Sequence, residues 1–171
     1  MGPHIVRRIN WFRAKDKFSS KTLWGSNGIT PQDVRQGIIG DCWFMVAASA
    51  MAEKPKRLEK IFLNKEKNDN GMYAVNLYTL GVPHTVVVDD ILPLSIVTNE
   101  DGKREYATVF SHVADDGSLW GAILEKAFAK LHGNYSHLIA GDPREASRAL
   151  NGSPSIHFSH SHPKVNEDFL W

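Results

Sequence analysis

The chain is short of sulfur and of net charge. Its 171 residues hold one cysteine, Cys42, and 20 Lys and Arg against 19 Asp and Glu, a formal net charge of +1. A single cysteine excludes an internal disulfide and fits a reducing compartment, so a cytoplasmic location is expected. Near-neutral charge gives no electrostatic basis for a nucleic-acid partner. No apolar run approaches the ~20 residues of a membrane span, so no transmembrane segment is expected. The first residues lack the apolar core of a signal peptide. Val6 stands where a myristoylation signal carries Ser or Thr. What the chain does have is 42% hydrophobic and 23% charged residues, an ordinary globular balance. A chain of this size can bury roughly 70% of its unfolded surface, enough for one folded unit.

The lone cysteine lies in Gln36-Gly37-Ile38-Ile39-Gly40-Asp41-Cys42-Trp43-Phe44. Glycines at 37 and 40 allow a tight turn and close approach of a ligand to the backbone. From Cys42 to Ala52 no breaker interrupts an apolar run, which predicts a buried helix with Cys42 in its first turn. Unpaired N–H groups and the positive end of the macrodipole favour a thiolate there. Gln36 is placed to help the Cys42 N–H hold an oxyanion. A cysteine in an apolar run is also what a small buried core residue looks like. The residues alone leave filler and nucleophile both open.

Around this segment the chain reads as α+β. A basic N-terminal arm, 1–24, carries Arg7, Arg8, Arg13, Lys15 and Lys17 around Trp11, Phe12 and Phe18, and is expected to be solvated with its aromatics docked. A folded unit, 25–152, which the resemblance described below makes a catalytic subdomain, follows, and then a Ser/His/Pro-rich tail, 153–171. A second helix is expected over Pro55–Leu63 and strands over Met72–Leu80, His84–Asp89 and Tyr106–Phe110. Turns are expected over 68–71 and 99–103, and Asp89-Asp90 is expected to close a strand into a turn. Leu119, Trp120, Ile123, Leu124, Ala127, Phe128 and Leu131 repeat at helical spacing, with Ser118 as the expected cap and Gly133 as the stop. Asp142-Pro143-Arg144-Glu145 carries the capping acceptor, N1 proline and N3 glutamate of a last short helix, which ends by Asn151-Gly152. The outcome is helices packed with a small antiparallel sheet.

Gln36-Gly37-x-x-Gly40-Asp41-Cys42-Trp43-Phe44 resembles the active-site segment of the calpain family of cysteine endopeptidases. Val86-Val87-Val88-Asp89-Asp90-Ile91-Leu92-Pro93 is similar to that family's strand ending in paired aspartates before Leu-Pro. Leu119 to Leu131 resembles its long helix, and His132-Gly133-Asn134-Tyr135 resembles its Asn-Gly-x-Tyr turn. In order, these blocks span 28–141 and are very specific together. The resemblance implies a papain-like first catalytic subdomain with a nucleophile-bearing central helix. Cys42 would be the nucleophile, Gln36 an oxyanion donor, and Trp43 a residue shaping the cleft.

The same resemblance implies an intracellular thiol protease acting on protein or peptide substrates. Its base and orienting amide belong to a second subdomain, in His-Ala-Tyr-like and Asn-Pro-Trp-like segments that are not found here. None of His84, His112, His132, His137, His157, His160 and His162 has those neighbours, and His4 is too near the start. A complementary subdomain supplying His and Asn is therefore an expected partner, with weak or no activity expected of this chain alone. Calcium is the implied cofactor, held by Asp33 with the carbonyls of Gly28 and Ser26. Ser118 stands where the family carries a glutamate ligand, a departure that removes a carboxylate, with Asp115 or Asp116 as replacements. The tail histidines His157, His160 and His162 could hold zinc with His132 or His137, but their spacing is that of a solvated tail. The alternative function is a non-catalytic module that binds peptides or regulates a protease.

Overall fold

A computed structural model describes residues 9–18, 22–66, 70–98 and 101–156. The chain opens with strand β1 (Asn10–Arg13) and a one-turn helix α1 (Ala14–Lys17), then a 3-10 turn at Pro31–Asp33. Helices α2 (Cys42–Ala52) and α3 (Pro55–Ile61) lead into strands β2 (Met72–Thr79), β3 (Val82–Asp89), β4 (Ile91–Thr98) and β5 (Arg104–Thr108). Helix α4 (Trp120–Leu131), a 3-10 turn at Tyr135–Leu138 and helix α5 (Pro143–Asn151) complete the described part.

Helix α2 is sunk in the core because its sequence is apolar on nearly every side. Trp43, Phe44, Met45, Ala47, Ala48, Met51 and Ala52 are buried. Only Cys42, Val46 and Ala50 form an exposed stripe, at the i, i+4, i+8 spacing of one helical face. Cys42 heads that stripe. Helix α4 packs against α2 through Phe128, which stacks on Phe44 at 4.1 Å between centroids and meets Trp43 edge-on at 5.5 Å. Trp120, Phe44, Phe62 and Phe128 are fully buried, each worth roughly 1.5–3 kcal/mol of transfer free energy. The expected helices and small antiparallel sheet are both present, as an α+β architecture.

The strands form two sheets, β1-β4-β5 and β2-β3, all antiparallel. Several local readings shift. Ile91–Thr98, for which no element was expected, is a strand. It pairs with β1 over Ile91–Leu94 and with β5 over Leu94–Thr98, so Pro93 sits before the β5 ladder begins. Residues Asn10–Arg13 of the basic arm form an edge strand against β4. Arg13 reaches the paired aspartates, bonding Asp90 at 2.7 Å, while Lys126 from α4 bonds Asp89. The strand expected at Tyr106–Phe110 runs from Arg104 to Thr108, and β3 begins earlier, at Val82. The helix expected to reach Leu63 stops at Ile61.

The last helix starts and stops as its residues predict. Asp142 accepts from the Arg144 N–H at 2.8 Å, Pro143 takes the N1 position, and Gly152 closes α5 at φ +70°. Ser118 does not cap α4. Leu119 holds that position without a side-chain cap, and the Ser118 hydroxyl donates to the Leu23 carbonyl at 3.4 Å instead. The tail histidines, His4, and residues 67–69 and 99–100 of the expected turns lie outside the described residues.

Candidate active site

The approach to Cys42 is built from loop contacts. Gly37 lies against β5's exit, where a Cβ would come within 2.0 Å of the Phe110 carbonyl oxygen. Only a residue without Cβ fits there. The Ile38 N–H donates to the Val109 carbonyl at 3.0 Å and the His112 N–H to the Arg35 carbonyl at 2.9 Å, so the loop is pinned on both sides of Gly37. Gly40 differs: a Cβ there would meet only an Ile139 methyl at 3.8 Å. The Gly40 carbonyl accepts from the Ala140 N–H at 3.0 Å. Gly37 serves packing, whereas Gly40 has room for a side chain.

Gln36 donates its side-chain N–H to the Ile39 carbonyl, bracing the turn that delivers Cys42. An amide nitrogen carries two hydrogens, and the same amide also acts on the Asp41 carboxyl. Helix α2 then begins without a side-chain cap. Asp41 occupies the N-cap position, and its carbonyl accepts from Phe44 at 2.9 Å and Met45 at 3.2 Å, yet its carboxylate makes no capping bond. The first N–H groups of the helix, at Cys42 and Trp43, have no intrahelical acceptor. Cys42 is exposed and unpaired by any disulfide. An exposed thiol at an uncapped helix N-terminus is the arrangement needed for attack on a carbonyl with backbone stabilisation of the oxyanion.

Trp43 turns the other way. Its indole N–H donates to the Leu138 carbonyl at 2.8 Å. A Cβ on Gly141 would strike its ring at 2.4 Å. Trp43 is therefore a buried side chain next to Cys42, and Gly141 is the residue that lets the chain pass over its ring.

A scan of protein-family models matches the calpain family cysteine protease over residues 2–171. The calpain-type cysteine protease DEK1 of Zea mays is 33% identical over 182 aligned positions, covering 100% of this chain and 8% of that protein. The calpain-type cysteine protease ADL1 of Oryza sativa subsp. japonica gives the same identity and coverage. The calpain-1 catalytic subunit of Homo sapiens is 32% identical over 157 positions, 89% of this chain and 21% of that protein. This chain belongs to the calpain family of cysteine proteases. It spans from 8% to 21% of the length of these relatives.

Among the described residues, His84, His112, His132 and His137 make no hydrogen bond to Cys42. His84 lies on β3, opposite Leu77. His112 is half-buried within 3.4 Å of the Thr108 hydroxyl, and burial together with the nearby Arg35 charge holds its imidazole below the usual histidine range. His132 contacts the Phe128 carbonyl at 2.9 Å, and His137 the His132 carbonyl at 2.6 Å. Among the described residues, no side chain is hydrogen-bonded to the Cys42 sulfur.

The calcium ligands implied by the calpain resemblance are employed internally. Asp33 is buried and accepts from the Thr30 hydroxyl at 2.7 Å, the Thr30 N–H at 2.8 Å and the Trp120 indole N–H at 2.8 Å. Asp116 folds onto the loop holding Ser26 and Gly28, accepting from the N–H groups of Asn27 and Ser118 at 3.1 Å and 3.0 Å. Asp115 pairs with Arg35. Calcium takes six to eight oxygens. Asp33 already accepts from three internal donors, and Ser118 brings no carboxylate to the loop.

Two polar residues near the site carry no local signature that singles them out. Asp41 and Glu125 are buried to 0% and 1% exposure. Glu125 lies on the face of α4 that also carries Ala122, Phe128 and Ala129. A charge on an apolar stripe is the available sequence signal. Two surface cavities, of about 420 Å³ beside Tyr78 and Leu150 and about 780 Å³ beside Leu131 and Arg148, are lined by none of Gln36, Cys42 and Trp43.

Proposed function

We propose that this chain is the nucleophile-bearing part of a calpain-type cysteine endopeptidase. The single observation that carries this is the exposed Cys42 at the uncapped N-terminus of α2, entered through a loop pinned at Gly37. In the reaction the Cys42 sulfur attacks the scissile carbonyl carbon. The carbonyl oxygen takes the negative charge, facing the Cys42 N–H and the Gln36 side-chain amide. The C–N bond breaks, the amine leaves with a proton, and the acyl group stays on sulfur as a thioester that water then hydrolyses.

A proton must be removed from the thiol and returned to the amine, which requires an imidazole. The base and its orienting amide come from a complementary catalytic subdomain, either on a longer version of the chain or on a partner. Without them turnover falls by several orders of magnitude, since loss of triad members in a serine protease costs ~10⁴–10⁶. Substrates are proteins or peptides, and the site of action is the cytoplasm. Calcium enters no step of this mechanism.

An electrophilic peptidyl epoxide tests the proposal. Labelling confined to Cys42, slow on this chain and accelerated when the complementary subdomain is added, is the expected result. Labelling that is not accelerated favours the non-catalytic, peptide-binding alternative. Robust peptide hydrolysis by this chain alone would contradict the requirement for an external base.

A further inference from the structure

We propose that Asp41 and Glu125 form a buried one-proton carboxyl pair in which Glu125 is a positioning residue, holding the Asp41 carboxyl away from the helix N-terminus that serves Cys42. This rests on Cys42 as the nucleophile.

Asp41 sits where an aspartate ordinarily caps a helix, by accepting from the N–H of the second or third residue. Here it makes no such bond. Its side chain is fully buried, and neither carboxyl oxygen has an N–H or hydroxyl partner. An ionised carboxylate left so would cost several kcal/mol. The neighbour is Glu125, whose carboxyl is hydrogen-bonded to that of Asp41 and whose two oxygens accept the Ser111 N–H at 3.1 Å and 2.9 Å. Two carboxyl groups side by side in a dry interior cannot both ionise. One proton shared between them supplies the donor that Asp41 lacks and removes one of the two charges.

The surroundings leave the proton few other homes. From the approach loop only the neutral Gln36 amide faces Asp41, and with Asp41's own N–H it only partly offsets the burial that raises the Asp41 carboxyl. Burial first, then Asp41, push Glu125 well above the usual glutamate range. From the 3-10 turn after α4, Tyr135 feels both carboxyls and is held in its protonated form by burial and by their charge. From the loop after β5, Ser111 contributes its N–H, while its hydroxyl oxygen is buried without a partner. No cationic side chain contributes to the raised ionisation of either carboxyl.

The consequence is for the nucleophile. A free Asp41 carboxylate next to the first turn of α2 would compete for the N–H groups meant for an oxyanion and place a negative charge against a thiolate. Glu125 prevents that by keeping the carboxyl turned inward.

Two measurements on the full chain test the pair. At neutral pH the wild-type protein should show the infrared carbonyl band of a buried protonated carboxyl, and Glu125→Gln should lose it. Alkylation of Cys42 by iodoacetamide should slow about tenfold in Glu125→Ala, the equivalent of one unit of thiol pKa. It should recover in Glu125→Ala combined with Asp41→Ala, where no carboxylate is left to swing. Glu125→Gln, whose amide can donate to Asp41, should keep the wild-type rate within about threefold. Absence of the band at neutral pH overturns the pair, as does an unchanged alkylation rate in folded Glu125→Ala. If Glu125→Ala does not fold, the band in wild type and its loss in Glu125→Gln decide. Neither readout needs proteolysis, so failure of the epoxide labelling would overturn the protease function and leave the pair standing.

Discussion

The indole N–H of Trp43 donates to the carbonyl of Leu138 across 95 residues of sequence, at 2.8 Å. That bond ties the residue after the nucleophile to the turn after α4, and both partners are buried. Trp43→Phe keeps most of the ring but orphans the Leu138 carbonyl. The expected loss is about 1–3 kcal/mol, the cost of an unsatisfied buried acceptor. Urea unfolding followed by circular dichroism measures it. A change below about 0.5 kcal/mol, the size of an ordinary surface substitution, would mean that water replaces the bond.

Gly37 and Phe110 make the second contact that fixes the nucleophile loop. A Cβ placed 2.0 Å from the Phe110 carbonyl oxygen meets backbone, which cannot rotate away. Gly37→Ala should therefore displace the loop and lose about 1–3 kcal/mol, as overpacked sites do. Gly40→Ala meets only a methyl group at 3.8 Å and should leave stability unchanged. Equal stability loss at the two positions would show that the loop is softer than its contacts imply.

Helices were legible wherever the signal was local. The unbroken run after Cys42 and the apolar spacing from Leu119 each specify an amphipathic or buried helix within a dozen residues. Strand β4 was not, because Pro93 looks like a break; only the offset between its two neighbours, meeting at Leu94, makes room for it. Strand β1 was hidden for a related reason: Asn10–Arg13 are mixed in character, and a partner some eighty residues away makes them a strand. At the site, the turn and helix start around Cys42 were legible, while the roles of Cys42 and Gln36 came from the family resemblance. Trp43 gave its identity but not its direction. The pairing of Asp41 with Glu125 was invisible, since no local pattern tells an N-cap aspartate that it will face inward.

Asp33 offers a direct test of the calcium expectation. Its carboxylate bonds three internal donors, including the Trp120 indole of a fully buried side chain. Asp33→Ala should cost about 2–4 kcal/mol, since it orphans donors in the interior. One millimolar calcium should not move the unfolding midpoint of the wild-type chain. A site with a Kd of 10 μM would add about 2.7 kcal/mol at that concentration, which differential scanning fluorimetry resolves. A calcium-dependent rise, lost in Asp33→Asn, would show that the loop rearranges to admit the ion.

The carboxyl pair makes stability depend on pH in a definite direction. Glu125 is raised well above its ordinary value of 4.5 by burial first and Asp41 second. The native state therefore holds a proton that the unfolded chain releases above 4.5. A raised carboxyl contributes fully below the unfolded value and loses that contribution as pH climbs toward the native value. Each unit of that shift costs about 1.4 kcal/mol once the proton has left the unfolded chain. Glu125→Gln cannot titrate and can still donate to Asp41, so it should be more stable than wild type at pH 7. The two should converge as pH falls toward 4.5. Urea midpoints measured from pH 4.5 to 8 check this. A Gln variant that is less stable than wild type at pH 7, with a parallel pH profile, would mean that Glu125 is ionised in the native state and stabilised by the Ser111 N–H alone.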